Sequence, residues 1–213
     1  KFVYCGSIHA FNYNSKTIII NENTSLTTNL HRPVYDRSKS EAITLINELS
    51  DHGNNIEVVK IYPTGILGPN DYIMSRMGRI LLNVFNCNQK FIIDGGFNWV
   101  DVRDVSWALF EASKIDSPNE DYIIGGHWLT LKELFNIALN INKDNYKIYS
   151  LPFKLVQISA FLKDILKIFT NNNSLFTLES VNAFKFPKNI SYIKLFSPFN
   201  LNFALSACAC LAI

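Results

Sequence analysis

Three short runs of β-branched and aromatic residues constrain this chain more than any other feature. They are Phe2 to Cys5 before Gly6, Ile56 to Ile61 before Pro63-Thr64-Gly65, and Tyr122 to Ile124 before Gly125-Gly126. Short apolar runs that close on Gly or Pro turns read as buried strands. Here they alternate with stretches of helical period, which predicts an α/β fold. In an open α/β sheet, ligands bind beyond the C-terminal ends of the strands. Ser7 and Pro63 both occupy such positions. Phe91 to Ile93 adds a fourth short strand, turned by Asp94-Gly95-Gly96.

The helical stretches carry their own start signals and faces. Pro33 precedes a helix on which Ala42, Leu45, Ile46 and Leu49 fall at i, i+3, i+4 and i+7, predicting a buried stripe there. Asp51-His52-Gly53 ends it, with Gly53 suited to a left-handed cap. Residues 74–87 read as a helix with Met74, Met77, Leu81, Val84 and Phe85 on one side, the Met residues as core or pocket filler. Asp101 is the expected N-cap of a helix with Val102, Val105, Leu109 and Ala112 inward. Thr130-x-x-Glu133 fits a capping box before Leu131, Leu134, Phe135 and Ala138. Residues 11–34 read as a long polar surface loop.

Composition excludes several classes. Of 213 residues, 48% are hydrophobic and 18% charged, enough for a sizeable core. A formal net charge of +2 with no Lys/Arg cluster gives no footprint for nucleic acid. No run reaches the ~18 uncharged apolar residues of a membrane span. Cys5, Cys87, Cys208 and Cys210 form no C-x-x-C pair, so free thiols in a reducing, cytoplasmic setting are expected, with no metal site.

Tyr35-Asp36-Arg37-Ser38-Lys39 is the stretch that suggests chemistry. A free phenol titrates near pH ~10. A lysine ammonium one helical turn away stabilises its anion, and the i, i+4 spacing puts Tyr35 and Lys39 on one face. Ser7 could anchor a substrate oxygen by hydrogen bonding. Taken alone, the spacing equally fits a half-buried aromatic beside a solvated lysine. His9 could face the same pocket or be a satisfied loop histidine.

The order of the motifs adds to this reading. Phe2 to Phe11, Tyr35 to Lys39, Tyr62-Pro-Thr-Gly-Ile-Leu-Gly-Pro-Asn-Asp71, Asp94 to Asp104, Tyr122 to Gly126 and Leu175 to Val181 together resemble the extended short-chain dehydrogenases/reductases. This is the NAD-dependent epimerase/dehydratase family, with its dihydroflavonol-reductase-like members. The resemblance spans roughly residues 1–190. It implies the C-terminal half of a Rossmann-like parallel sheet with a small, mostly helical substrate domain. It implies an NAD(P)-dependent oxidoreductase or epimerase acting on a hydroxyl or keto group of a small molecule or nucleotide sugar. Ser7, Tyr35 and Lys39 match the family's catalytic set, and Pro63 and Thr64 match the segment that passes the nicotinamide of NAD or NADP. Tyr35 and Lys39 would also touch the cofactor. Asp101 and Arg103 match a family segment too, where a helix cap with an ion pair is the simpler role.

The sequence departs from the family in two places. The Gly-x-x-Gly-x-x-Gly turn that holds a pyrophosphate is absent, and the residues 205–213 look unrelated. The expected organisation is a partial Rossmann-like catalytic portion over 1–142, with substrate-side segments interleaved at about 71–104. A substrate-side helical portion follows over 143–190, with helices at 153–169 and about Thr177 to Phe184, and then an atypical tail over 191–213. The alternative reading is an inactive fragment or a non-catalytic interaction remnant. An unpaired sheet edge and an uncovered apolar face would then favour a homodimer.

Overall fold

The computed structural model describes residues 1–13, 19–51, 56–116, 120–142, 146–152, 154–156, 158, 189 and 190. In chain order the elements are β1 (Phe2–Cys5), a 3₁₀ turn (Ile8–Ala10), α1 (Val34–Asp51), β2 (Val58–Pro63), β3 (Gly65–Leu67) and α2 (Arg76–Phe85). Then follow β4 (Phe91–Ile93), β5 (Gly96–Asp101), α3 (Val102–Ala112), β6 (Glu120–Ile124), β7 (His127–Thr130), α4 (Leu131–Asn142) and β8 (Tyr149–Leu151). The α/β expectation holds. Of the expected helix 153–169, only 154–156 and 158 are described, and all are helical. The proposed cap at His52-Gly53, the helix near Thr177 and the tail lie outside the described residues.

The chain divides into two compact units. The first contains a parallel sheet in the order β1–β2–β6. All six residues of β2 are buried, so its sequence is a continuous apolar run broken only by Lys60. Val59 and Ile61 of β2 and Ile124 of β6 pack on Val105, Ala108 and Ala112 of α3. Lys60 and Tyr62 alternate with these residues along the strand. Lys60 meets α1, its Nζ donating to Oδ1 of Asn47 at 2.6 Å, and the Tyr62 ring meets Phe11 edge-on at 4.9 Å. Buried Lys60 also pairs with its cross-strand neighbour Asp121 at 3.0 Å, and Asp121 accepts from the Tyr62 hydroxyl at 3.1 Å.

Three expectations are corrected in this unit. β1 is not a fully buried strand, because Phe2 is 46% exposed and Cys5 is exposed too. It pairs with β2 alone among the described residues. The buried stripe of α1 is also not the predicted one. Leu45 and Leu49 are 60% and 55% exposed, while Asp36, Ser40 and Ile43 are buried. The inward face is set by what the rest of the unit offers it, which is largely polar. Ser40 Oγ donates to the Thr27 carbonyl at 2.7 Å, and Asn47 receives Lys60. Finally, the segment 11–34 is anchored rather than simply superficial. Phe11, Ile20 and Thr27 are buried, and bridges join Phe11 to Leu26 and Ile20 to Ile190.

The second unit pairs β4 with β8 in parallel and packs α2 against α4. Buried Ile80, Leu81 and Val84 form the inner side of α2. Ser75 caps this helix by accepting from the Gly78 amide at 3.0 Å. Met74 therefore lies before the helix, with φ at 54°, and is not part of its apolar side. The capping box of α4 is present, with Glu133 accepting from the Thr130 amide and the Glu133 amide donating to Thr130 Oγ1.

A further sheet orders β3–β5–β7. None of its strands, nor β8, was expected from the sequence. β3, β7 and β8 are short, β3 and β5 begin on glycines, and the partners of β3, β5 and β7 are distant in the chain.

Candidate active site

The site grows from the C-terminal end of β1. Gly6 continues the ladder, its amide donating to the Ile61 carbonyl at 2.8 Å. A side chain there would meet the Tyr62 ring at 2.8 Å, so the position needs glycine for close approach. Ser7 follows, buried and extended, and its Oγ accepts from the His9 amide at 3.3 Å. This cap turns the chain into Ile8–Ala10 and packs it on α1.

The first turn of α1 carries the other two candidates. Tyr35 is 49% exposed, and Lys39 is half-buried with Nζ 5.5 Å from the Tyr35 ring centroid. The His9 ring meets Tyr35 edge-on at 5.7 Å. Thus the Ser7-capped turn and the Tyr-Lys pair lie together, with His9 between them.

Asp36 anchors this arrangement from beneath. It is buried, with Oδ1 3.2 Å from His9 Nδ1 and Oδ2 3.9 Å from Arg32 Nη1. The Arg32 guanidinium also lies 3.7 Å over the Tyr13 ring and donates to the Tyr13 carbonyl. Burial first, and Asp36 second, push the Tyr13 phenol up to about 12. Burial raises the Cys5 thiol above its ordinary value, while the charge of Lys39 opposes that rise.

Pro63 and Thr64 form a separate polar cluster at the end of β2. Thr64 is buried, its amide donates to the Ile124 carbonyl at 2.9 Å, and its hydroxyl donates to Asn98 Oδ1 at 3.1 Å. Asp101 and Arg103 take the simpler role. Asp101 caps α3 by accepting from the Arg103 amide at 2.8 Å and pairs with the Arg103 guanidinium at 2.6 Å. Among the described residues no three His, Cys, Asp or Glu side chains gather as a metal would require.

Two participants were not found from the sequence. An acidic residue at the start of a helix suggests only a favourable dipole interaction, which hid the role of Asp36. Asn98 had no signal at all, because β5 itself was not expected.

No family model matches the chain. A curated relative, sterol demethylase protein B of Methylococcus capsulatus, is 23% identical over 145 residues, 68% of this chain and 44% of that protein. The crystal structure of gox2253 superposes with a TM-score of 0.76 at 22% identity, covering 98% of this chain and 63% of that one. A nucleoside-diphosphate-sugar epimerase from Pseudomonas aeruginosa gives 0.65 at 18% identity, covering 89% and 61%. Other matched structures include complexes with NADPH and with NAD. The fold is therefore the Rossmann-like fold of the NAD-dependent epimerases and dehydratases. The chain spans less than two thirds of the length of each of these three proteins. No helix among the described residues is long and apolar enough to cross a membrane.

Proposed function

We propose that this chain carries the proton-transfer site of an NAD(P)-dependent oxidoreductase or epimerase. Its substrate would be a small molecule or nucleotide sugar bearing a hydroxyl or keto group. The observation that carries this reading is the packing of the Ser7-capped turn on the first turn of α1, with Lys39 Nζ 5.5 Å from the Tyr35 ring. In this reading Ser7 orients the substrate oxygen and the Tyr35 hydroxyl exchanges a proton with it. The Lys39 cation stabilises negative charge on the phenol oxygen as the proton moves. A nicotinamide dinucleotide, when bound, supplies the hydride chemistry. The residues present suit such a group, since half-buried Lys39 offers donors for ribose hydroxyls and Pro63–Thr64 lies at the end of the strand adjacent to β1.

Tyr35→Phe tests the assignment. Turnover should fall by about 10²–10⁴-fold with dinucleotide affinity nearly unchanged. Unchanged turnover would remove Tyr35 from the chemistry.

A second reading, a non-catalytic interaction protein that associates with its own copies, is favoured by the exposure of Leu45 and Leu49 on α1. Leu45 also borders an open groove of about 400 Å³ with Thr27, Arg37 and Glu41. A monomer in sedimentation that binds NAD(H) tightly would exclude it.

A further inference from the structure

The connection from β3 to α2, residues 68–75, carries the two most exposed large apolar side chains among the described residues. They are Ile73 at 97% and Tyr72 at 86%. Met74 beside them is exposed as well. Apolar residues scattered singly over a surface need no explanation, but three in a row at one turn do.

The loop does not present these side chains by being loose. The Asp71 carboxylate accepts from the Ser75 amide at 2.8 Å, and the Asp71 carbonyl accepts from the Met74 amide at 2.9 Å. The Tyr72 hydroxyl donates to Asn70 Oδ1 at 2.9 Å. Asn70 and Met74 stand at φ of 69° and 54°, left-handed values that are costly for a residue with a side chain. Gly78 leaves room for the Asp71 carboxylate, which a Cβ at that position would strike. The chain thus tolerates strain on both sides of Tyr72 and Ile73, and local hydrogen bonds hold them facing water.

The charge beside this tip is of one sign. From residue 68 to 93 the sequence has Arg76, Arg79 and Lys90 against the single acid Asp71. The Asp71 carboxylate is already engaged by the Ser75 amide. Arg76 and Arg79 lie about one turn apart at the start of α2. Both are exposed, and among the described residues neither side chain has an ion pair or a hydrogen bond.

We infer that residues 70–79 form a docking point for an anionic phospholipid surface. Tyr72 and Ile73 enter the headgroup region, and Arg76 and Arg79 meet lipid phosphates. A protein partner of ordinary kind needs about 800 Å² from each side, more than a two-residue tip supplies. A bilayer needs no matching face. Tyrosine settles at the headgroup level, an aliphatic side chain reaches the acyl boundary, and arginines are drawn to anionic lipid. A short apolar tip joined to a basic pair gives weak, reversible attachment and no membrane span. This inference goes beyond the proposed reaction and does not depend on it.

The test sediments the full chain with vesicles of phosphatidylcholine, alone or mixed with phosphatidylserine. The chain should bind the mixed vesicles and bind phosphatidylcholine alone more weakly. Ile73→Ser should weaken binding about tenfold at low and at high salt. Ile73→Leu keeps the apolar surface and should bind as the parent does. Arg76→Gln and Arg79→Gln should each cost about fivefold, on the mixed vesicles and at low salt only. Because Ile73 is almost fully exposed, Ile73→Ser should leave the thermal midpoint unchanged, which separates docking from misfolding. Failure of the parent to sediment with the mixed vesicles overturns the inference, as does equal binding by Ile73→Ser. Self-association that Ile73→Ser removes, without vesicle binding by the parent, overturns it in favour of a protein contact.

Discussion

The imidazole of His9 meets the ring of Tyr35 edge-on, with centroids 5.7 Å apart, while its Nδ1 lies 3.2 Å from the carboxylate of Asp36. One buried acid therefore holds the turn that follows Ser7 against the helix that carries Tyr35. Asp36→Ala leaves His9 and Arg32 without that acid and should destabilise the fold by about 1–3 kcal/mol, read by urea denaturation. In the proposed reaction it should also lower turnover more than His9→Phe, which keeps an aromatic ring beside Tyr35. Equal stability of Asp36→Ala and the parent would show that the acid does not hold the turn.

The revised inward face of α1 makes a paired prediction. Ile43 is 1% exposed, and Ile43→Ala should cost about 2–5 kcal/mol from lost burial and the cavity left behind. Leu45 is 60% exposed, and Leu45→Ala should stay within about 0.5 kcal/mol in the monomer. Denaturation midpoints at two protein concentrations check both. A concentration-dependent loss for Leu45→Ala would place that face in a contact between copies.

Buried Lys60 and half-buried Asp121 form an ion pair on neighbouring strands. Removing one charge leaves the other in a poor solvent, a loss of about 3–5 kcal/mol for a fully buried pair. The Asp121 side chain is 27% exposed, which lowers the expectation for Lys60→Met to roughly 2–3 kcal/mol. The double variant with Asp121→Leu should lose less than the sum of the single changes, as a double-mutant cycle of unfolding energies will show.

Alkaline stability follows from Tyr13. Its phenol titrates at about 12 in the folded chain against 10.0 when unperturbed, because burial and Asp36 oppose the phenolate. The unfolded chain loses this proton first. The contribution is therefore complete below about pH 10 and is lost as pH rises toward about 12. Tyr62 adds to the same trend, since burial and Asp121 raise its phenol too. Tyr13→Phe should flatten part of the fall in stability over this range, followed by chemical denaturation at fixed pH values. A profile identical to that of the parent would contradict the assignment.

Local signals in the sequence were enough for some of these features. The caps of α3 and α4 need only Asp101, Arg103, Thr130 and Glu133, which lie within three residues of their partners. The strands β1, β2, β4 and β6 announce themselves by apolar runs that end in turns, and Tyr35 and Lys39 share a helical face through spacing alone. The same runs and their order carried the α/β fold. By contrast, β3, β5 and β7 are stable only through partners elsewhere in the chain, and Gly96 and Gly65 at their starts resemble turns when read alone.

The inward face of α1 was a matter of tertiary structure for a related reason. Leu45 and Leu49 have the greater hydrophobic content, but Lys60 on β2 and the carbonyl of Thr27 take up Asn47 and Ser40. The sequence by itself determined the fold class, the caps and the catalytic candidates, because periodicity and short-range hydrogen bonds are local. Only tertiary structure joined His9 to Asp36 and Thr64 to Asn98 and Gly126, because those bonds connect residues separated by 27, 34 and 28 positions of chain. No pattern within a single helix or strand encodes such a distance.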